Sequence, residues 1–286
     1  MSKFELKEKN LISIVIHVKE NVELLPGFIS FLENFFSNHF ESYEYVLVNN
    51  TSQAGIMTNI ETEVANLQGE LNVINLSWQH NIEDAMCAGI DLAIGDFIFE
   101  FDTLIVDYTE ELILQIYHKC LTGIDMVAAA PNAVKTRWSK AFYYWLNKLS
   151  YKNINLSTET FRVVSRRMIN RTNVNNATFR YRKANYHGSG LPTELIPYNS
   201  IQTKGIESEY SLGEQISLAS NILIYYSSVG TKISTILSVV FLFTSMIVGG
   251  YAIFSYLILK NQIQEGWTTT MLFLSLSFTG FFAILA

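Results

Sequence analysis

Glu100 and Asp102 stand two residues apart at the end of the apolar run DFIFEFD, residues 96–102. On a strand this spacing sends both side chains to one face. The sequence therefore offers either a Glu-x-Asp pair able to hold a cation, or simply charged residues near a strand end. A second polar cluster, Asn49-Asn50-Thr51-Ser52, closes another apolar run, and an asparagine side chain both accepts and donates hydrogen bonds. Arg162 and Arg166 sit four apart in TFRVVSRR, either as anion contacts or as ordinary ion pairs. Other chemistry-bearing residues are sparse. The histidines, His17, His39, His80, His118 and His187, have no metal-ligand spacing. Cys87 and Cys120 suggest neither a zinc site nor a disulfide framework, which fits a reduced compartment. There is no GxSxG or P-loop pattern. The net charge of -6 argues against nucleic acid as a partner.

The elements that must position these residues can be read from hydrophobic period. Residues 11–18 (LISIVIHV), 43–48 (YEYVLV), 71–76 (LNVINL) and 96–101 (DFIFEF) read as strands, and residues 23–38, 57–67 and 82–93 as helices between them. This βαβαβαβ order predicts an α/β fold with a mostly parallel sheet, helices on both faces, and ligands beyond the carboxyl ends of the strands. A helix at 110–121 and a short run at 126–130 follow. The stretch from Arg137 (RWSKAFYYWLNKLSYK) is aromatic and basic, suited either to a bilayer headgroup region or to core packing. An amphipathic helix is expected at about 212–226.

Two uncharged apolar runs, 233–259 and 267–286, flank the short polar loop 260–265. Each reaches the ~20 residues a bilayer-crossing helix needs, so a two-helix transmembrane hairpin is expected, the second run extending to the last residue, Ala286. Lys232, with a single lysine in the loop, leans weakly toward a cytoplasmic soluble part. The N-terminal residues are charged and lack the apolar stretch of a signal peptide, which leaves targeting to the C-terminal runs. The expected division is a nucleotide-sugar-binding-like domain over 1–205, a juxtamembrane amphipathic helix over 206–231, and the hairpin over 232–286.

The order of pieces resembles the family 2 glycosyltransferases with a GT-A (Rossmann-like) domain, in the membrane branch that makes polyprenyl-phosphate-linked sugars, such as dolichol-phosphate mannosyltransferase and GtrB-type enzymes. The resemblance runs over almost the whole chain. It is carried by SIVIHVKEN (13–21), YEYVLVNNTS (43–52), EDAMCAGIDLAIGDFIFEFD (83–102), TFRVVSRR (160–167) and GWTTTMLFLSLSFTG (266–280). It implies an integral protein of the bacterial inner membrane that transfers a sugar from a nucleotide-sugar donor, UDP- or GDP-linked, to a polyprenyl phosphate at the cytoplasmic face. It also implies a place in cell-envelope or O-antigen glycosylation and a homo-oligomer or a pairing with an active paralogue.

The resemblance is closer at fold-forming positions than at chemistry-bearing ones. Gly89, Ala93, Gly95 and Asp96 match the family's helix-to-strand turn. The family's Asp-Asp-Gly-Ser donor turn is Asn49-Asn50-Thr51-Ser52, its Pro and Asn-Glu are His17 and Glu20-Asn21, and its Arg-Asn is Trp78-Gln79. Its metal-binding Asp-x-Asp becomes Asp102 and Leu104, and leucine cannot bind Mg²⁺ or Mn²⁺. Glu100 or Asp107 is the available substitute beside Asp102. The family's base position is Thr160, which cannot act as a base near neutral pH, while its phosphate-contacting arginine is retained as Arg162, with Arg166 nearby. His187-Gly-Ser-Gly190 reads as a flexible loop, and Arg180, Arg182 and Lys183 echo a basic segment facing lipid or diphosphate, or a solvated loop. Two functions follow as expectations: an active glycosyltransferase, or a catalytically silent relative serving as a binding or assembly subunit.

Overall fold

The computed structural model describes residues 7–19, 21–51, 67–132, 159–173, 181–201, 229–258 and 266–285. The helix expected at 57–67, all but Leu67, the aromatic stretch from Arg137, the juxtamembrane helix at 212–226 and the loop 260–265 lie outside the described residues, as do Ser52 and Arg180. The chain divides into two compact units, Met1–Asn147 with Lys152–Leu218, and Lys148–Tyr151 with Ala219–Ala286.

The first unit is built on a seven-stranded sheet. Its strands are β1 (Ile12–Val18), β2 (Tyr43–Asn49), β3 (Glu70–Asn75), β4 (Phe97–Phe101), β5 (Met126–Pro131), β6 (Phe161–Ser165) and β7 (Thr193–Tyr198), in the spatial order β3-β2-β1-β4-β6-β5-β7. Parallel pairing joins β1 to β2 and β4, β2 to β3, and β5 to β7; β6 alone runs antiparallel to both its neighbours. Every residue of β1 is buried, as expected of a near-continuous apolar strand covered on both faces.

Helices α1 (Leu25–His39) and α3 (Glu110–Leu121) cover one face and α2 (Ile82–Leu92) the other. In α1, Leu25, Phe28, Ile29, Leu32, Phe35 and Phe36 recur at three- and four-residue intervals and form the buried stripe. They pack against Ile14, Ile16, Phe99, Phe101 and Phe161, the odd or even set of each strand that faces them. The opposite set, including Val15, Val48, Ile98 and Val164, packs against Ala85, Met86 and Ile90 of α2.

Two short helices were not legible in the sequence: α4 (Arg166–Asn173), directly after β6, and α5 (Arg182–Gly188), directly before β7. The segment read as a flexible or solvated loop is thus corrected. His187 and Gly188 close α5, and Arg182 and Lys183 open it with 2% and 9% exposure.

In the second unit, α6 (Val229–Ile258) and α7 (Trp267–Leu285) pack antiparallel, with Phe241 beside Phe278 and Tyr251 beside Trp267. Thr279 Oγ1 donates to the Phe241 carbonyl at 3.2 Å, and Gly249 leaves room for Leu272. Among the described residues one helix, Thr231–Ser255 within α6, is long and apolar enough to cross a membrane.

Candidate functional site

Between β1 and β4 the chain order of the sheet reverses, since β1 pairs with β2 on one side and β4 on the other. The crevice beyond the carboxyl ends at such a point is where open α/β sheets bind ligands. His17, Asn49, Asn50 and Asp102 stand at these ends.

Antiparallel pairing of β4 and β6 places Glu100 directly opposite Arg162. Both are fully buried, and Arg162 Nη1 donates to Glu100 Oε2 at 3.1 Å, while Nη2 donates to Asp102 Oδ2 at 2.6 Å. Helix α5 brings a second guanidinium. Arg182 donates from Nη1 to Glu100 Oε2 (2.6 Å), from Nη2 to Asp102 Oδ1 (2.8 Å), and from Nε and its backbone N–H to Glu83 Oε2 (3.1 and 2.8 Å). Tyr186, one turn along α5, donates its hydroxyl to Glu100 Oε1 at 2.5 Å. Glu159 completes the group, 3.1 Å from Arg162 Nε and 3.9 Å from His187 Nε2 without a well-formed hydrogen bond to either.

The electrostatics follow from this packing. Burial works to raise the Asp102 pKa, but Arg162 and Arg182 outweigh it and hold Asp102 well below the usual carboxylate range. For Glu159, burial is likewise outweighed by Lys183 and Arg162, and its pKa is lowered to about 2. Glu100 goes the other way: burial prevails over both guanidiniums and raises its pKa. His17 is pushed down to about 4, chiefly by burial, so the ring is neutral and its Nε2 accepts from Asn50 Nδ2 at 3.0 Å.

The sequence-derived site residues separate into groups. Glu100 and Asp102 share one face as the spacing required, and Arg162 joins them. Arg166 does not. Its position, one past the Ser165 that pairs with Phe97, lies four residues (about 13 Å) from the Glu100–Arg162 pair. Its guanidinium donates to the carbonyls of Ala93 and Gly95. The expectation of a shared anion contact for both arginines is therefore corrected: Arg166 secures the turn between α2 and β4.

Asp107 is 2% exposed and accepts from Tyr198 Oη and Ser200 Oγ, each at 2.7 Å. Because the Tyr198 hydroxyl donates to Asp107, its 2.6 Å contact with Thr160 Oγ1 makes Thr160 the donor. Asn49 Oδ1 accepts from the backbone N–H and hydroxyl of Thr51, shaping the turn after β2. Asn50, 1% exposed, binds His17 and both the N–H and C=O of His80, which ties the loop after β3 to the end of β2.

The residues present do not fit a divalent ion. Both oxygens of Asp102 and Oε2 of Glu100 are held by guanidiniums, Leu104 is buried among apolar side chains at 4% exposure, and no group of three ligating side chains among the described residues is arranged for a metal. Sequence reasoning missed Glu83, Glu159, Tyr186 and the burial of Arg182. The signal available was an arginine and a glutamate within two strand-flanking segments, but nothing in one sequence pairs residues eighty positions apart.

The seven-stranded mixed α/β sheet is like that of GT-A glycosyltransferases. Among solved structures, the glucosyl-3-phosphoglycerate synthase of Mycobacterium tuberculosis in complex with Mn²⁺, UDP and phosphoglyceric acid superposes with a TM-score of 0.53 at 13% identity, covering 75% of this chain and 76% of that one. The sequence is similar to bactoprenol glucosyl transferases. A prophage homologue from Escherichia coli K12 and the enzyme of Shigella phage SfV are each 24% identical over 261 residues, 88% of this chain and 84% of theirs. No family model matches the chain.

Proposed function

We propose that the chain is a membrane-bound family 2 glycosyltransferase that moves a sugar from a nucleotide sugar to a polyprenyl phosphate at the cytoplasmic face, in cell-envelope glycosylation. The observation that carries this reading is the extent of the similarity to bactoprenol glucosyl transferases. It spans 88% of the chain, more than the sheet unit holds, and so reaches into the helix pair.

In this reading the domain over 1–205 binds the donor in the switch-point crevice, residues 206–231 lie along the bilayer, and the hairpin over 232–286 spans it. Exposed apolar side chains such as Met246, Phe254, Phe273 and Leu276 face lipid tails. The Asn49 turn, with Ser52, recognises the nucleoside, and His17 and Asn50 fix the wall of the crevice. Asp102, the one member of the ionic group with a 15% exposed side chain, faces the donor. The guanidiniums behind it temper the negative charge that develops on the leaving diphosphate. An acceptor phosphate is already ionised near neutral pH, so a threonine at position 160 need only orient it.

A second reading has its own support. Asn50, Asp107 and Arg162 all satisfy partners within the fold, as they would in a silent relative that assembles with itself or with an active paralogue. The test is transfer: purified protein in detergent, a panel of UDP- and GDP-sugars, polyprenyl phosphate, and mass spectrometry of the lipid product. A lipid-linked sugar that Asp102→Asn abolishes is expected. Absence of product across the panel with folded protein would favour the assembly role.

A further inference from the structure

Three carboxylates from three places in the chain converge on one planar cation. Glu83 comes from the first turn of α2, Glu100 from β4 and Asp102 from the segment after it, and all three receive hydrogen bonds from the Arg182 guanidinium at 2.6 to 3.1 Å. The backbone N–H of Arg182 also binds Glu83, at 2.8 Å, so the first residue of α5 is anchored as well as its side chain. From this geometry we propose that Arg182 is a resident cation: its guanidinium fills the place at the end of β4 that a divalent metal ion would need, and the donor crevice works without one.

Charge bookkeeping supports the assignment. Around Arg182, Glu83, Glu100 and Asp102 carry three negative charges against the positive charge of Arg162, which lies on Glu100 and Asp102, while the fourth carboxylate, Glu159 beside Arg162, is offset by Lys183. Arg182 reduces the remaining two to one. A dication added to the assembled group would meet a guanidinium at contact distance, in a setting where Arg182 is 2% exposed and screening is weak. Leu104 then fits. Leu104 offers no oxygen to a metal, an arginine delivered from α5 needs none from it, and Leu104 joins the apolar core with Phe101 and Tyr108. The fork geometry also explains why arginine rather than lysine stands at 182, since a point charge cannot donate along three directions in one plane.

The inference rests on the donor-site reading for its purpose, but its test does not. Metal-free full-length protein in detergent micelles is titrated with Mn²⁺ alone, without nucleotide, and free Mn²⁺ is followed by electron paramagnetic resonance. The native chain is expected to show no stoichiometric site. Arg182→Met, which leaves a net charge of two minus around the vacated volume, is expected to gain one Mn²⁺ per chain and to lose it again when combined with Asp102→Asn. Should Arg182→Met fail to fold, Arg182→Gln, which keeps amide N–H donors toward the carboxylates and leaves the same net charge of two minus, is expected to show the same gain. One Mn²⁺ per native chain that Asp102→Asn removes would overturn the proposal. So would a folded Arg182 variant as blind to Mn²⁺ as its parent. Failure to bind any nucleotide would instead count against the donor-site reading and leave the resident cation untouched.

Discussion

At the scale of single residues, the ionic group beneath the crevice is an all-or-nothing arrangement. Removing one partner of a buried ion pair leaves an uncompensated charge and costs about 3–5 kcal/mol. Arg162→Met takes from Glu159, Glu100 and Asp102 a shared buried cation and leaves the 0% exposed Glu159 with Lys183 as its main offset, so a loss of that size is expected in urea unfolding of the detergent-solubilised chain. Adding Glu159→Gln should recover part of it, and strict additivity of the two changes would show that they do not interact. His17 gives a pH signature. Its folded pKa of about 4 lies below the unfolded value near 6.5, so the unfolded chain binds the extra proton between them. Stability is therefore full above pH 6.5 and falls as pH drops toward 4, by up to ~3 kcal/mol. Substituting His17→Gln should flatten that slope while leaving the behaviour above pH 7 unchanged. A slope identical in the variant would assign it to other groups.

At the scale of elements, the hydrophobic period located β1 to β4 and α1 to α3 because each is either a run of β-branched residues or an amphipathic stripe. The failures have a common physical cause. Strand β6 carries Arg162 inward, and its FRVVS pattern reads as half-exposed only because the compensating Glu100 is sixty-two residues away. Helix α5 places Arg182, Lys183 and His187 on buried or half-buried positions, so its composition resembles a solvated loop. The positions that were legible include glycines that a neighbouring strand approaches closely. A Cβ on Gly95 would lie 2.6 Å from the Ser13 backbone nitrogen, whereas one on Gly89 would meet the Val15 and Val48 methyls at 2.6 Å. Both substitutions to alanine overpack the core, at a typical cost of about 1–3 kcal/mol. Gly95→Ala is expected to be the worse, because it also displaces the Gly95 carbonyl that Arg166 holds and the N–H that binds Ser13 Oγ. Thermal denaturation of the two variants side by side checks the order, and a milder Gly95→Ala would contradict this view of the turn.

At the scale of the whole molecule, a sheet like that of GT-A glycosyltransferases carries acidic residues at the end of β4 that are balanced from within by arginines. The sequence departures at Asn49, Asn50, Thr160 and Leu104 read singly as losses. On the resident-cation proposal, Leu104 and Arg182 instead form one exchange, a side chain without a metal ligand given to the core and a guanidinium brought in from α5. The exchange was hidden from the sequence because α5 follows β4 by eighty residues. The measurement that tests the account most directly is calorimetric titration of the purified, detergent-solubilised chain with UDP, GDP and their sugars in the presence of EDTA. The account predicts saturable binding of one nucleotide class, weakened by Asp102→Asn. A folded chain that binds no nucleotide at millimolar concentration, with or without added Mn²⁺, would contradict it.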